Sequence, residues 1–476
     1  MLTVTSSRTV SKTKSLEAQL VIIGGGGAGL SAAVAAAEKG IPGVIVLEKR
    51  GVPGGNTALA TGLFACESPV QEREKIIADR DELFKRAMHW AHWNRTDPRI
   101  FRAFLNKSGD TIRWLERKGL EFRVIPFFPN QEPRVWHCPA GKGAQLTRVL
   151  AKECGEMGVQ ILLHTTGKKI RRGAGDNVTG LLAMGEEEFE IKTESVIIAT
   201  GGFGGNQRLL EKHCPQHYEG MPLRGLPLTG DGLLLASEAG AAIDDSVTLL
   251  KEGPRVDANR WPLMGLEREA CTLWVNTRGE RFIDEAVGFH PFESVNALLR
   301  QRGKMCFTLL DSTISQSFIE KTPALEEALR IEADKGRLKI SDSWDEIARW
   351  IGADPGRMKA TIEEYNGFCD HGYDQVFAKD RRYLLPLRRA PFYAIRGLPH
   401  FLDTLGGIKI DEQMKVLDDR SSPIVGLYAA GVITSGWQPE TYCSDLSGSA
   451  FGYAINSGRI AGENAAEFLL SRNTST

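Results

Sequence analysis

The stretch Gln19 to Ala37, QLVIIGGGGAGLSAAVAAA, constrains the fold more than any other part of the chain. Leu20 to Ile23 is a short apolar run rich in β-branched residues, the pattern of a strand buried on both faces of a parallel sheet. Gly24, Gly26 and Gly29 follow as G-x-G-x-x-G, and an alanine-rich segment with helical composition begins at once. In that spacing the first glycine permits a tight turn. The second lets the backbone approach a pyrophosphate, and the third lets helix pack on strand. The phosphates then sit at the positive end of the helix. A second apolar strand, Gly43 to Leu47, ends in Glu48. That acid lies roughly twenty residues past the glycines, where a carboxylate binds the adenosine ribose. These features predict a dinucleotide site. A membrane span is the competing reading, since no charge falls between Leu20 and Ala37, but the consecutive glycines interrupt such a helix.

A chain of 476 residues exceeds one ordinary core, so two domains are expected. With 59 basic and 60 acidic residues and no long run of one sign, nucleic acid and anionic membrane are excluded as main partners. The eight cysteines make no C-x-x-C or C-x-x-C-H, so no zinc ribbon, iron–sulfur cluster or c-type haem is expected, and no metal. Scattered thiols suit a reducing compartment. Met1 to Ala18 is polar and basic without an apolar centre, which reads as a frayed arm rather than a signal and makes the cytoplasm the expected location. Gln71 to Gly119 is amphipathic with helical period, and its Trp90, Trp93 and Trp114 are expected to pack in the core or against a cap. Lys142 to Met157 reads as a helix, and Val159 to His164 and Ser195 to Thr200 as strands.

Beyond Glu48 the motifs accumulate. KRGVPGGNTALATG, Lys49 to Gly62, offers close backbone approach at Gly54 and Gly55 and donors at Asn56 and Thr57. This loop resembles the isoalloxazine-contacting loop of the soluble fumarate reductase and ketosteroid dehydrogenase flavoproteins. VIIATGGFGGN, the T-G-D-G of Thr229 to Gly232, and LWVNTRGERFIDE (Leu273 to Glu285) resemble further motifs of that family. So do ATIEEY followed by Asn366-Gly367, APFYA, TLGGIKID, IVGLYAAG and GRIAG, in the family's order over nearly the whole chain. The resemblance implies an α/β fold, with a Rossmann-like FAD-binding domain of the GR2 type and an inserted α+β capping domain. Residues 1–247 and 404–476 would form the first, and 248–403 the second. FAD is the implied cofactor. It would be non-covalent, because Asn56 stands where the membrane-bound succinate dehydrogenases have a covalently linked histidine. The implied cofactor contacts are Gly24, Gly26, Ala28, Gly29, Glu48, Lys49, Gly55, Asn56, Thr57, Thr61, Gly62, Ala199, Thr200, Gly201, Asp231, Gly431, Ser447, Ser449 and Ala450. The last helix would aim its N-terminal end at the flavin pyrimidine and stabilise the anionic reduced ring. Ser447 and Ser449 alternatively serve only as caps.

Family chemistry is hydride exchange at flavin N5 with one carbon of a C–C or C=C unit and proton exchange with its neighbour. Departures from the family pattern bear on the substrate. Where fumarate reductases have the proton-donating arginine, this chain has Phe289 with His290 beside it. Where an arginine and two histidines grip the diacid, spacing places Glu252, Asp403 and Asp445. Desolvated carboxylates repel a dicarboxylate. The resemblance with these departures implies an oxidoreductase (class EC 1.3) that reduces or introduces a C=C next to a carbonyl in a non-dicarboxylate, cyclic substrate such as a ketone, steroid-like ring or phenol. The alternative is a flavin dehydrogenase or oxidase acting on C–N or C–O bonds of a cationic or polyhydroxy substrate, which three acids would suit. His290 and Tyr442 are the candidate proton donors, against plain loop or packing roles, and Arg268 is either a relay arginine or a structural ion-pair partner. His137 is a weaker candidate for site contact. The small-molecule substrate would be joined by a separate electron donor or acceptor, whether protein, nicotinamide cofactor, quinone or oxygen. The sequence leaves the oligomeric state open.

Overall fold

A computed structural model describes residues 15–245, 247–256, 263 and 265–473. At its centre is a six-stranded sheet in the order Lys415–Leu417, Pro423–Ala429, Ser195–Ile198, Leu20–Ile23, Val44–Leu47, Gln160–Leu162. All neighbours are parallel except the edge pair Lys415–Leu417 and Pro423–Ala429. Every residue of the three central strands Ser195–Ile198, Leu20–Ile23 and Val44–Leu47 is buried, which is why their sequences are apolar runs and not alternations. Helix Gly27–Glu38 follows the first of them and lies against the final helix, Ser449–Asn473.

A second sheet is antiparallel, in the order Thr248–Val256, Phe392–Leu405, Cys306–Leu310, Leu273–Val275, with Leu338–Ser341 also paired to Phe392–Leu405. Buried apolar side chains form two clusters. One surrounds the parallel sheet, and the other, with Leu273, Leu309, Ile347 and Tyr365 in it, surrounds the second sheet and its helices. The fold is thus α/β with an α+β insertion.

Some elements differ from expectation. Ser15–Glu17, assigned to the frayed arm, is a strand that pairs in parallel with Glu188–Lys192; the arm before it lies outside the described residues. That pair extends into a four-stranded sheet with Val178–Met184 and Thr166–Arg172. The Gln71 to Gly119 region is helical as Pro69–Arg73, Arg80–Trp90 and Pro98–Glu116. Trp114 is buried, its indole N–H donating to Glu38, but Trp93 is 62 % exposed and only its ring edge meets Phe84. No described helix is long and apolar enough to cross a membrane.

Candidate active site

A cleft opens at the C-terminal ends of the parallel strands, where a switch in strand order leaves room for a ligand. Its floor is the turn from Ile23 into helix Gly27–Glu38. Gly29 does not face the cleft. A Cβ there would lie 1.8 Å from the carbonyl oxygen of Gly24, so glycine is what lets the helix start so close to the strand. Glu48 reaches the same turn. Its carboxylate accepts from the Gly25 N–H at 2.9 Å and from the Arg50 N–H at 2.8 Å, which fixes its orientation at the cleft wall. Lys49 donates to Thr229 Oγ1 (2.7 Å) and Asp231 Oδ2 (3.0 Å), clasping the loop after the second strand to the T-G-D-G turn.

Of the expected cofactor contacts, Gly24, Gly26, Ala28, Glu48, Lys49, Gly55, Asn56, Thr57, Ala199, Thr200, Gly201, Asp231, Gly431 and Ala450 line this cleft. Gly29, Thr61, Gly62, Ser447 and Ser449 do not. Gly62 backs onto Cys138 and Trp136, and Ser447 accepts a hydrogen bond from Gln131 Nε2 at 3.3 Å. Ser449 sits against Tyr442. These positions support the wall from behind. Thr229 of the T-G-D-G turn also lines the cleft, and Thr166, Arg224 and Phe451 line it without having been anticipated. Arg224 stands in an ordinary turn sequence, MPLRGLP, which carries no motif.

The cleft fits a dinucleotide. A helix N-terminus opens onto it, a fixed carboxylate stands at the ribose position, and the buried Thr200 hydroxyl on its wall has no hydrogen-bond partner among protein atoms.

The three acids fall into three environments. Asp403 lies in the cleft wall, 6 % exposed, at the end of strand Phe392–Leu405. Its Oδ2 accepts from Asn56 Nδ2 at 2.7 Å and its Oδ1 from the Thr404 N–H at 2.9 Å. Asn56 in turn accepts from the Leu226 N–H at 2.8 Å, so its amide is fixed from both ends. A Cβ on Gly202 would lie 2.1 Å from Asp403 Oδ1, so that glycine gives the carboxyl its room. Burial pushes Asp403 up to about 6, against the pull of Asn56 and the Thr404 amide.

Glu252 is not in the cleft. It is the cross-strand partner of His400, whose Nε2 donates to Oε1 at 2.8 Å. Arg255 donates to both of its oxygens at 3.1 and 3.3 Å, and Arg268 stands 3.9 Å away. Burial pushes the Glu252 carboxyl up, but His400, Arg255 and Arg268 outweigh it and hold the group well below the usual carboxylate range. Burial lowers His400, against the pull of Glu252, and its buried Nδ1 makes no hydrogen bond among the described residues. Arg268 therefore stands against a buried acid, the structural alternative among its two readings.

Asp445 is partly exposed, 3.8 Å from Arg86, in the short turn Ser444–Leu446 before the final helix. Opposite it stand His290 and Glu293 from the start of helix Pro291–Leu299. Phe289 points to Tyr383, ring centroids 5.7 Å apart, and is absent from the cleft lining. Tyr442 is buried, and its hydroxyl accepts from the Ala450 N–H at 2.8 Å at the start of the final helix. Burial pushes its phenol up to about 12, so it is neutral and its own proton is available. His137 is a satisfied core residue, bonded to Ser68 Oγ (2.7 Å) and the Val135 carbonyl (2.9 Å), with burial lowering it to about 4. No group of three described His, Cys, Asp or Glu residues has the geometry to hold a metal.

Residues 19–441 match the family described as FAD binding domain. The chain belongs to that family. It is 31% identical to the vinyl phenol reductase of Lactiplantibacillus plantarum, over 94% of this chain and 96% of that protein. It resembles the open conformation of a flavocytochrome c3 fumarate reductase with TM-score 0.77 and 26% identity, covering 96% of this chain and 79% of that one. It also shares the fold of a 3-ketosteroid-Δ4-(5α)-dehydrogenase from Rhodococcus jostii RHA1 in complex with 4-androstene-3,17-dione. There the TM-score is 0.75 at 23% identity, over 97% of this chain and 99% of that one. This FAD binding domain protein is accordingly an FAD-dependent oxidoreductase of a family that acts on C=C bonds, with FAD as its cofactor. As an oxidoreductase it works on a small molecule and with a redox partner.

Proposed function

We propose that the chain reduces, or in reverse introduces, a C=C bond conjugated to a phenol or ketone in a cyclic substrate that is not a dicarboxylate. The observation that carries this reading is Asp403, a buried carboxyl in the cleft wall whose side-chain partner is the amide of Asn56. A carboxyl of that kind accepts from a phenol hydroxyl when ionised, and donates to a carbonyl when protonated. It repels a second carboxylate brought into the same low-dielectric space. The likeness to a vinyl phenol reductase points the same way.

Bound non-covalently, FAD would supply hydride at N5. Gly24, Gly26 and the first turn of helix Gly27–Glu38 would hold its pyrophosphate, Glu48 the ribose, and Asn56, Thr57 and Ala450 the ring system. Asp403 would orient the ring of the substrate and, by drawing on a phenol proton, push electrons into the conjugated C=C so that it takes up a proton and leaves the neighbouring carbon electron-poor for hydride. His290 would deliver the proton to the carbon that does not receive hydride, with neutral Tyr442 as second candidate. Electron exchange with the FAD would fall to a separate donor or acceptor. The division into an FAD-binding domain (1–247, 404–476) and a cap (248–403) is part of this proposal and is supported by the two buried clusters.

The reading of a cationic or polyhydroxy substrate was favoured by the three acids; Glu252 and Asp445 face arginines, which leaves it Asp403 alone.

The test is anaerobic reoxidation of the dithionite-reduced holoenzyme. 4-Vinylphenol should restore the oxidised flavin spectrum within the mixing experiment, and fumarate should not. Comparable reoxidation by fumarate would refute the proposal.

A further inference from the structure

A second cavity, of about 750 Å³, lies between helix Arg80–Trp90 with the turn after it and helix Pro291–Leu299. Glu293 faces it, together with Arg86, His89, His92, Arg95 and Glu440. On the other side of Glu293 stands His290, one helical turn earlier, with Nδ1 3.5 Å from Glu293 Oε1. That Nδ1 is buried and makes no hydrogen bond, and the imidazole ring sits on Phe128 with centroids 4.2 Å apart. A small rotation of either side chain closes the gap to hydrogen-bonding distance. The pair is also anchored to the cofactor side. Phe292, between them in sequence, packs tilted against Tyr442 with ring centroids 4.6 Å apart, and the Tyr442 hydroxyl accepts from the amide of Ala450 in the cleft wall.

We propose that Glu293 is a proton-relay residue, carrying protons from the open cavity to His290 for the reaction in the cleft. This inference rests on the C=C reading given above. Reduction of one C=C takes one hydride and one proton. The carboxyl proton of Glu293 passes to Nδ1 of the neutral His290 ring, and the imidazolium so formed gives the proton on its other nitrogen to the substrate carbon that does not receive hydride, leaving a neutral imidazole. Water in the cavity reprotonates Glu293. Desaturation runs the same path outward. Burial and the nearby Asp445 charge push Glu293 up to about 7, against the pull of Ser444, which puts a protonated carboxyl within reach near neutrality. Burial lowers His290, against the pull of Asp445.

The test uses the reduced FAD holoenzyme with 4-vinylphenol in stopped flow across pH 5 to 9, for wild type, Glu293→Gln and Glu293→Asp. Glu293→Gln should slow reoxidation at least about tenfold and flatten the limb near neutral pH. It should leave the Kd of 4-ethylphenol, the corresponding product, within about twofold, since Glu293 acts through His290. Glu293→Asp should restore part of the rate. An unchanged rate and pH profile in Glu293→Gln would overturn the relay. A second readout needs no substrate. The imidazole titration of His290, assigned with His290→Asn, should move by about half a pH unit or more in Glu293→Gln. If wild type does not react with 4-vinylphenol, the proposed function fails, and the His290 titration alone then decides whether the two groups are coupled. An unmoved titration overturns the relay.

Discussion

Two acids on one pair of strands show how differently this protein handles buried charge. Glu252 on Thr248–Val256 lies opposite His400 and is surrounded by Arg255 and Arg268. Asp403, three residues past His400 on the partner strand, faces a neutral amide and the cleft. The first is ionised at all ordinary pH and ties strands together. The second is pushed towards neutrality and left open to a ligand. A compensated charge stabilises a strand pair, whereas an uncompensated one leaves binding potential for whatever enters the cleft.

The contrast can be broken most forcefully at Glu252. Glu252→Gln leaves Arg255 without its buried counter-charge and should cost about 3–5 kcal/mol in urea unfolding. The sign with pH follows from its lowered value. The stability that Glu252 contributes is present above its unfolded value near 4.5 and is lost as pH falls below it, so the variant should flatten the acid limb of wild-type unfolding.

The phosphate side of the cleft relies on backbone instead of charge, and Gly29→Ala probes it. The added Cβ meets a backbone carbonyl that cannot swing aside, so the helix must shift at a cost of about 3 kcal/mol, with loss of FAD retention on gel filtration.

Asp403 should show the opposite pH signature to Glu252. Its folded value is raised from 3.8 to about 6, so the stability it contributes is complete below 3.8 and is lost as pH rises through 6. Asp403→Asn should therefore gain up to about 3 kcal/mol over wild type at pH 8 relative to its effect at pH 4, read by thermal unfolding at both pH values. A pH-independent difference would mean that a cation reaches Asp403.

Lys49→Met removes a half-exposed ion pair to Asp231 and should change stability by less than about 1 kcal/mol.

What was legible in the sequence divides along the same line. The Gly24 to Gly29 turn, Glu48, the Asn56 loop and the T-G-D-G turn could be read because their function is set by backbone geometry within a few residues. Side-chain partnership could not. Spacing located Glu252 and Asp445 but not His400, 148 positions away, or Arg86 on another helix. Register between strands decides such pairs. The small sheet that begins at Ser15–Glu17 was hidden because its strands Ser15–Glu17, Thr166–Arg172 and Glu188–Lys192 carry charged residues at exposed positions. Arg224 reached the cleft wall from a turn with no pattern to mark it.

The most direct test of an uncompensated acid in the cleft is ligand binding to the oxidised holoenzyme, followed by flavin absorbance at pH 7.5 with 4-ethylphenol and succinate. 4-Ethylphenol should bind at least about a hundredfold more tightly than succinate, about 2.7 kcal/mol, and Asp403→Asn should narrow that ratio. Succinate binding as tightly as the phenol, with Asp403→Asn making no difference, would contradict the account.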